Sequence, residues 1–139
     1  MDYSNSITPL LMNIIATKQG ELFEYAENKG HNMTNFITQY MLSNFCNQEM
    51  DSDYSYFHLK TPEVCYSYVI NEICEVHNDS KGFINAAWVG QIYRYLVFLT
   101  GIHSRDIVNM ISPADLDDMA LVYETTSVED AAEKIVKLL

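Results

Sequence analysis

Cysteine and histidine residues are the side chains of this sequence best suited to chemistry. Cys74 and His77 are three residues apart, a spacing that on a helix would let both side chains face one metal ion. Structural zinc sites usually take their ligands from paired motifs such as Cys-x-x-Cys. Here each further ligand, Cys46, Cys65 or His58, would come from a separate segment. We therefore predict that the protein binds no metal.

The same residue types could form a nucleophilic cysteine–histidine pair. Such a pair requires an imidazole within hydrogen-bond distance of the thiol and a third group that orients it. Cys65 and Cys74 lie in segments with apolar patterning and are expected to pack as small apolar groups. His103 follows a long predicted helix, whose negative end favours a structural role for it. We expect no enzyme and no cofactor, with a small enzyme that uses Cys74, His77 or His103 as an alternative.

A segment that combines carboxylates and aromatic rings, residues 51–58, is the candidate binding site. Aromatic side chains supply much of the energy of protein recognition, and neighbouring acids would select a basic partner. An EF-hand calcium loop is excluded, because its central glycine and closing glutamate are absent. In the alternative interpretation, Tyr54 and Phe57 cover the core beneath a long loop. The predicted partner interface consists of Asp51, Asp53, Tyr54, Tyr56 and Phe57.

The charge balance favours the same kind of partner. Nineteen Asp and Glu residues against eight Lys and Arg residues give a formal net charge of -11. This charge repels nucleic acid at long range, and no basic patch offsets it, so we expect no direct nucleic-acid binding. The acidic surface fits either solubility alone or recognition of a basic protein. Arg94 and Arg105 are each expected to pair with one of the many acids.

Helix-capping residues recur along the chain and predict where helices begin. A first helix begins after Thr8 and continues through Gly20 as a single helix until Gly30 ends it. A second helix runs from Asn32 to about Asn47, with its apolar residues on one face. Between residues 48 and 60 the pattern fails, which predicts the longest irregular segment of the chain.

Further helices are predicted in the second half of the chain. A third helix begins at Thr61 and reaches about His77. The broad apolar stripe of residues 84–99 predicts a long helix that ends at Gly101, with Trp88 as the candidate for the centre of the core. Three short helices follow, each preceded by a candidate capping residue: Ser104, Ser112 and Ser127.

These helices define the predicted fold. No stretch shows sustained two-residue alternation of β-branched residues, and no Asn-Gly or Asp-Gly hairpin signal occurs. The fold class is therefore all-α, a compact bundle of about six or seven helices. A chain of 139 residues has the common length of one domain, so we predict a single domain over 1–139. The polar residues 78–82 could divide it into 1–78 and 83–139, two parts that would share one core.

Targeting signals and cysteine usage predict the cellular location of the protein. Its N-terminus has no basic stretch followed by a long apolar one, and about eighteen apolar residues never run uninterrupted, so we expect neither secretion nor membrane association. The three cysteines are an odd set in apolar-patterned segments, which suits reduced thiols in a cytosol. We predict a cytoplasmic protein.

The last third of the chain resembles a group of known proteins. The features that carry the likeness are Tyr93-x-Tyr95 in a long helix, Gly101-Ile102-His103-Ser104 at a turn, Tyr123 before Thr125-Thr126, and Ile135. On these features, residues 93–139 resemble small helical domains of uncharacterised function in gut bacteria and mobile elements. Some of those domains are encoded beside ADP-ribosyltransferase-type toxins. The resemblance implies an antitoxin-like or accessory role in which the acidic surface contacts a toxin, and it assigns no site residue.

These observations combine into one functional prediction. We expect a non-catalytic, acidic regulator of bacterial or phage origin, an antitoxin-like or inhibitory protein that binds a basic protein. An anti-defence protein that imitates nucleic acid is the alternative, since its carboxylates would occupy the places of phosphates in a basic groove. Self-association as a homodimer is a further expectation, because tyrosine-rich and methionine-rich segments could present apolar faces.

Overall fold

The computed structural model of the chain describes residues 7–74, 83 and 85–139. Within these ranges the protein is helical and contains no β-strand, which confirms the predicted all-α fold class. The described ranges contain seven α-helices: α1 (Pro9–Asn28), α2 (Met33–Leu42), α3 (Pro62–Val69), α4 (Ala86–Thr100), α5 (Ser104–Met110), α6 (Pro113–Met119) and α7 (Val128–Val136). A π-helical segment, Phe45–Met50, and two 3-10 helices, Tyr56–Leu59 and Ile70–Glu72, complete the described elements.

Local capping chemistry explains most of the helix ends. The side-chain oxygen of each N-cap residue accepts a hydrogen bond from the backbone N–H three residues later, which satisfies one of the free donors of the first turn. These N-caps are Thr8, Asn32, Thr61, Ser112 and Ser127. Gly101 ends α4 in the left-handed conformation, with φ of 75°. The corresponding predictions are confirmed.

The second predicted helix is shorter than expected. α2 ends at Leu42, because Ser43 adopts an extended conformation and the chain then resumes as the π-helical segment. The Ser43 hydroxyl donates to the Tyr40 carbonyl at 2.6 Å and accepts from the Cys46 N–H at 3.0 Å. A serine that bonds to nearby backbone in this way competes with the regular helix pattern. The predicted helix to about Asn47 is therefore wrong in its last turn.

The predicted end of the third helix and the predicted start of α5 also differ from the structure or lie outside the described residues. α3 ends at Val69 and continues as a 3-10 helix, whereas its predicted end at His77 lies outside the described residues. α5 begins with His103 as its N-cap, and Ser104 is the first residue inside the helix. The expected capping role of Ser104 is therefore wrong. Its hydroxyl donates instead to Asp51 Oδ1 at 2.6 Å.

The packing of α1 against α4 is the most extensive contact between elements. Two glycines permit it: a Cβ atom on Gly20 would lie 2.6 Å from the Ala87 carbonyl oxygen, and one on Gly90 would lie 3.0 Å from the Gly20 Cα. At the same crossing, Gln19 Nε2 donates to the Gly90 carbonyl at 2.8 Å. The two backbones thus approach closely at the middle of both helices.

The centre of the core differs from the prediction. Trp88 is only half-buried and stacks on Tyr123, with 6.4 Å between ring centroids. Tyr93, Arg94 and Tyr95 are buried instead. Because α4 packs against α1 on one side and α7 on another, consecutive residues of this helix can all face other elements.

No helix among the described residues has both the length and the apolar character needed to cross a membrane.

Candidate functional site

Asp51 and Arg94 form an ion pair inside the protein. Arg94 Nη1 lies 2.6 Å from Asp51 Oδ1, and the two side chains are 0% and 1% exposed. Arg94 lies on a turn of α4 that is buried on all sides, and Asp51 directly follows the π-helical segment. The expected pairing of Arg94 with an acid is confirmed, whereas Arg105 forms no ion pair within the described ranges.

All five N–H groups of the Arg94 guanidinium meet an acceptor. Gln19 Oε1 accepts from Nε at 3.0 Å and from Nη2 at 2.7 Å. Nη1 donates to the Met50 carbonyl at 3.1 Å as well as to Asp51, and Nη2 reaches Cys46 Sγ at 3.3 Å. A buried charge is tolerated when its hydrogen bonds are satisfied in this way. Arg94 thereby connects α1, the π-helical segment and α4.

The same carboxylate caps α5 from a distance. Asp51 Oδ2 accepts from the Ser104 N–H at 2.8 Å, and Oδ1 accepts from the Ser104 hydroxyl at 2.6 Å. Asn47 Oδ1 accepts from the Arg105 N–H at 3.0 Å, while its amide nitrogen donates at 2.8 Å to the carbonyls of Met41 and Ser43. The first free N–H groups of α5 are thus satisfied by residues more than fifty positions earlier.

This environment controls the charges of the cluster. Burial by itself would raise the pKa of Asp51, but the charge of Arg94 and the hydrogen bonds from Ser104 outweigh it and hold that pKa below its ordinary value. Burial acts to lower the pKa of Arg94, and Asp51 reverses this and raises it, so the guanidinium stays protonated. Burial raises the pKa of the Cys46 thiol to about 11.

The cluster contains residue types that serve nucleophilic catalysis, but not in a reactive arrangement. Cys46 and Ser104 are 0% exposed, and the Cys46 thiol donates to the Ser104 hydroxyl at 3.2 Å. A thiol with a raised pKa is protonated at neutral pH, which is the opposite of an activated nucleophile. His103 does reach the surface; its side chain is 63% exposed, and Nδ1 lies 3.3 Å from Asp51 Oδ2.

Metal ligands do not converge within the described ranges, where no group of three or more His, Cys, Asp and Glu residues could hold a metal ion. Cys74 is exposed, and His77, with which it was weighed as a metal-ligand pair, lies outside the described residues. His58 is buried, and Nε2 lies 3.1 Å from the Met50 carbonyl oxygen. Burial lowers the pKa of His58.

The predicted interface residues divide between the core and the surface. Asp51 is inside, in the ion pair with Arg94, and is thus unavailable to a partner in this structure. Phe57 packs on the core, with its ring centroid 5.0 Å from that of Phe45. Tyr54 and Tyr56 point outward, 75% and 70% exposed. The alternative prediction, that Tyr54 and Phe57 cover the core beneath the loop, is therefore confirmed for Phe57 and wrong for Tyr54.

Two cavities flank the exposed part of this loop. The first, which we call the tyrosine groove, has a volume of about 340 Å³ and is lined by Leu11, Asp53, Tyr54, Ser55, Tyr56, His58 and Leu59. The second, the α4 groove, has a volume of about 180 Å³ and is lined by Asp51, Asp53, Val97, Phe98, Gly101, Ile102 and His103. Asp53 contributes to both cavities, and its side chain makes no hydrogen bond or ion pair with another described residue.

Sequence reasoning did not identify the apolar walls of these grooves. These walls are formed by Leu11, Phe98 and Ile102, which are apolar residues without a functional motif. Their role depends on which side of α1 and α4 the loop covers, and the spacing of apolar residues carries no signal for that.

No family model matches the chain, and neither a curated protein nor a solved structure is significantly similar to it.

Proposed function

We propose that this chain is a non-catalytic binding protein that engages a basic protein partner through the tyrosine groove. The observation that carries the proposal is the pair Tyr54 and Tyr56, which are 75% and 70% exposed beside an apolar groove. Tyrosine is one of the residue types on which binding energy concentrates at protein interfaces. Two such rings at the rim of a groove fit a recognition surface better than a solvated loop.

The loop is held in place before any partner arrives. Asp51 anchors its beginning to Arg94, and His58 is buried at its end. Between these points the Ser52 hydroxyl bonds to the backbone of Tyr54, and the Ser55 hydroxyl donates to Glu49 Oε1 at 3.1 Å. A surface that is already ordered loses little conformational entropy on binding, which favours affinity. The buried ion pair thus supports the binding surface without taking part in it.

The negative charge of this chain favours a basic partner. The formal net charge is -11, and the Asp53 carboxylate at the groove makes no hydrogen bond or ion pair with another residue that the structure describes. Opposite charge accelerates the encounter of two proteins and rejects acidic competitors. A basic toxin or a basic nucleic-acid-binding protein meets this description, which supports an antitoxin-like or inhibitory role. We place the activity in the cytoplasm, where free cysteines such as Cys46, Cys65 and Cys74 stay reduced.

The proposal is tested in two steps. The chain is first co-expressed with the product of the neighbouring gene, and the complex is purified at low and at moderate salt. Its dissociation constant is then measured for the wild type, for the triple variant Asp53→Asn, Tyr54→Ala, Tyr56→Ala, and for a control variant, Leu121→Ala, Val122→Ala. Leu121 and Val122 are 72% and 74% exposed and line neither groove, so they match the tyrosines in exposure.

We expect the triple variant to bind at least about 30-fold more weakly, because truncation of a hot-spot side chain costs about 2 kcal/mol or more. The control variant should bind within about twofold of the wild type, as changes outside an interface do. Thermal unfolding checks that all three proteins remain folded. Equal affinities for the triple variant and the control would remove the tyrosine groove from the interface.

A further inference from the structure

The α4 groove combines an apolar wall with one available negative charge. Val97, Phe98 and Ile102 supply the wall at the end of α4. Of the two carboxylates that line the groove, Asp51 has both oxygens engaged by Arg94 and Ser104. Asp53 has no hydrogen bond or ion pair within the described residues, so it is the carboxylate that remains free to meet a charge.

The position of the groove on the helix adds to this charge. Gly101 is the C-cap of α4, and Val97 and Phe98 belong to the last turn of that helix. The carboxyl end of a helix carries a partial negative charge from its free carbonyl groups and attracts cations. The groove is therefore an apolar slot of about 180 Å³ beside the carboxyl end of α4, with His103, the N-cap of α5, also in its lining.

We infer that the α4 groove receives a lysine side chain of the partner, an inference that rests on the proposed binding function. The four methylenes of a lysine would pack on the apolar wall, and its compact ammonium would meet Asp53. An arginine fits less well, because the guanidinium of Arg94 already lies over the Phe98 ring, 5.3 Å from its centroid. One face of that ring is thus already covered from inside the protein, which leaves less aromatic surface on which a second guanidinium can stack.

Asp53 links this groove to the tyrosine groove. The carboxylate lines both cavities, whereas Tyr54 and Tyr56 line only the tyrosine groove. A partner segment held against the two tyrosines therefore passes beside Asp53 and can extend one side chain into the α4 groove. The chemistry required of the partner is a lysine next to a segment that contacts tyrosine.

The inference is tested without the partner, by NMR titration of the labelled full chain with Nα-acetyl-lysine methylamide. We expect saturable shifts at the amides of Gly101, Ile102 and His103 and at the Val97 methyl groups. Half-saturation should occur on the order of 1–10 mM, the range of a small ligand that buries four methylenes and forms one ion pair. The norleucine analogue has the same stem without the ammonium and should bind at least about fivefold more weakly, as should the lysine analogue to Asp53→Asn.

The inference would be overturned by shifts that do not saturate or that lie elsewhere, by equal binding of the norleucine analogue, or by unchanged binding to Asp53→Asn. Tighter binding of the arginine analogue would do so as well. The Tyr54→Ala, Tyr56→Ala variant separates this test from that of the proposed function. It should bind the lysine analogue like the wild type, because neither tyrosine lines the α4 groove. If the analogue fails while the tyrosine variant still loses the partner, only the lysine inference falls.

Discussion

Asp51 and Asp53 lie two residues apart in the chain but in opposite environments. The Asp51 carboxylate is surrounded by Arg94, His103 and the start of α5, and its side chain is only 1% exposed. Asp53 is partly exposed at the rim of both grooves. The first carboxylate therefore acts on the stability of the fold, and the second is available for binding. This difference can be measured directly.

The substitution Asp51→Asn should lower the free energy of unfolding by about 3 kcal/mol or more, because it leaves the Arg94 guanidinium buried without a counter-charge. Asp53→Asn is the matched control and should change it by less than about 0.5 kcal/mol, as surface substitutions usually do. Urea unfolding of both variants and the wild type measures the difference. If Asp51→Asn lowered the free energy of unfolding no more than the small change expected for Asp53→Asn, the ion pair would not stabilise the fold.

The stabilising effect of Asp51 should disappear in acid. Its pKa in the folded protein is held below the ordinary value of 3.8, so the carboxylate favours the folded state at higher pH. This contribution is lost as the pH falls below 3.8 and through the folded pKa. The gap in unfolding free energy between the wild type and Asp51→Asn should therefore narrow between about pH 5 and pH 2. A gap that stays constant over that interval would contradict the assigned charge pair.

The sequence predicted some of these residue roles but not the partners. A lone arginine among apolar neighbours in a chain rich in acids indicates a pair, and Arg94 is paired as expected. The acid that pairs with Arg94 is not predictable from the sequence, because Asp51 lies 43 positions away and its place beside Arg94 depends on the course of the π-helical segment. The same separation explains why Asp51 was placed in the binding surface beside Tyr54 and Tyr56.

At the level of elements, local and distant interactions differ in how well the sequence predicts them. Helices capped by their own residues, such as α1 at Thr8 and α7 at Ser127, begin where the sequence indicates. α5 has no cap hydrogen bond from its own N-cap side chain and is capped by Asp51 and Asn47 instead. A capping rule uses a few neighbouring residues, so it fails where the acceptor comes from another element.

The crossing of α1 and α4 depends on Gly20, which yields a prediction about this pair of helices. On helix propensity alone, Gly20→Ala would stabilise α1 by about 1 kcal/mol. In the folded protein the added methyl would lie 2.6 Å from the Ala87 carbonyl oxygen, a backbone atom of the other helix. We therefore expect a net loss of about 1–3 kcal/mol in unfolding free energy, as in other overpacked interiors.

The control for this substitution is Asn28→Ala, at the exposed last residue of α1. It should change the free energy of unfolding by less than about 0.5 kcal/mol, in the manner of a surface change. Thermal or urea unfolding measures both. An increase in stability for Gly20→Ala would show that the two helices can separate without cost, and that the close approach of Gly20 and Gly90 is not needed for packing.

At the scale of the whole molecule, most acidic residues in the described part of the chain are exposed, whereas Asp51 is buried in an ion pair. Because Arg94 and Asp51 neutralise each other inside the protein, this pair adds little to the electric field that a partner meets. The formal net charge of the chain is -11. The proposed binding mode thus assigns long-range attraction and short-range contact to different groups: surface carboxylates would steer a basic partner, and Tyr54 and Tyr56 would hold it.

This division predicts distinct kinetic effects of salt and of mutation on partner binding. Raising the ionic strength from about 20 mM to about 500 mM should lower the association rate constant roughly tenfold or more, because salt screens the steering field. The Tyr54→Ala, Tyr56→Ala variant keeps all the carboxylates, so its association rate should show the same dependence on salt. Its dissociation rate should rise instead, since lost contacts act on residence time.

Stopped-flow or biosensor kinetics at several salt concentrations distinguish the two effects, with Leu121→Ala, Val122→Ala as the variant expected to match the wild type in both rates. An association rate that is indifferent to salt would rule out charge as the basis of partner choice. A tyrosine variant that loses association rate instead of residence time would place Tyr54 and Tyr56 in the encounter rather than in the bound interface. Either outcome would separate the overall charge of the molecule from the role of its groove.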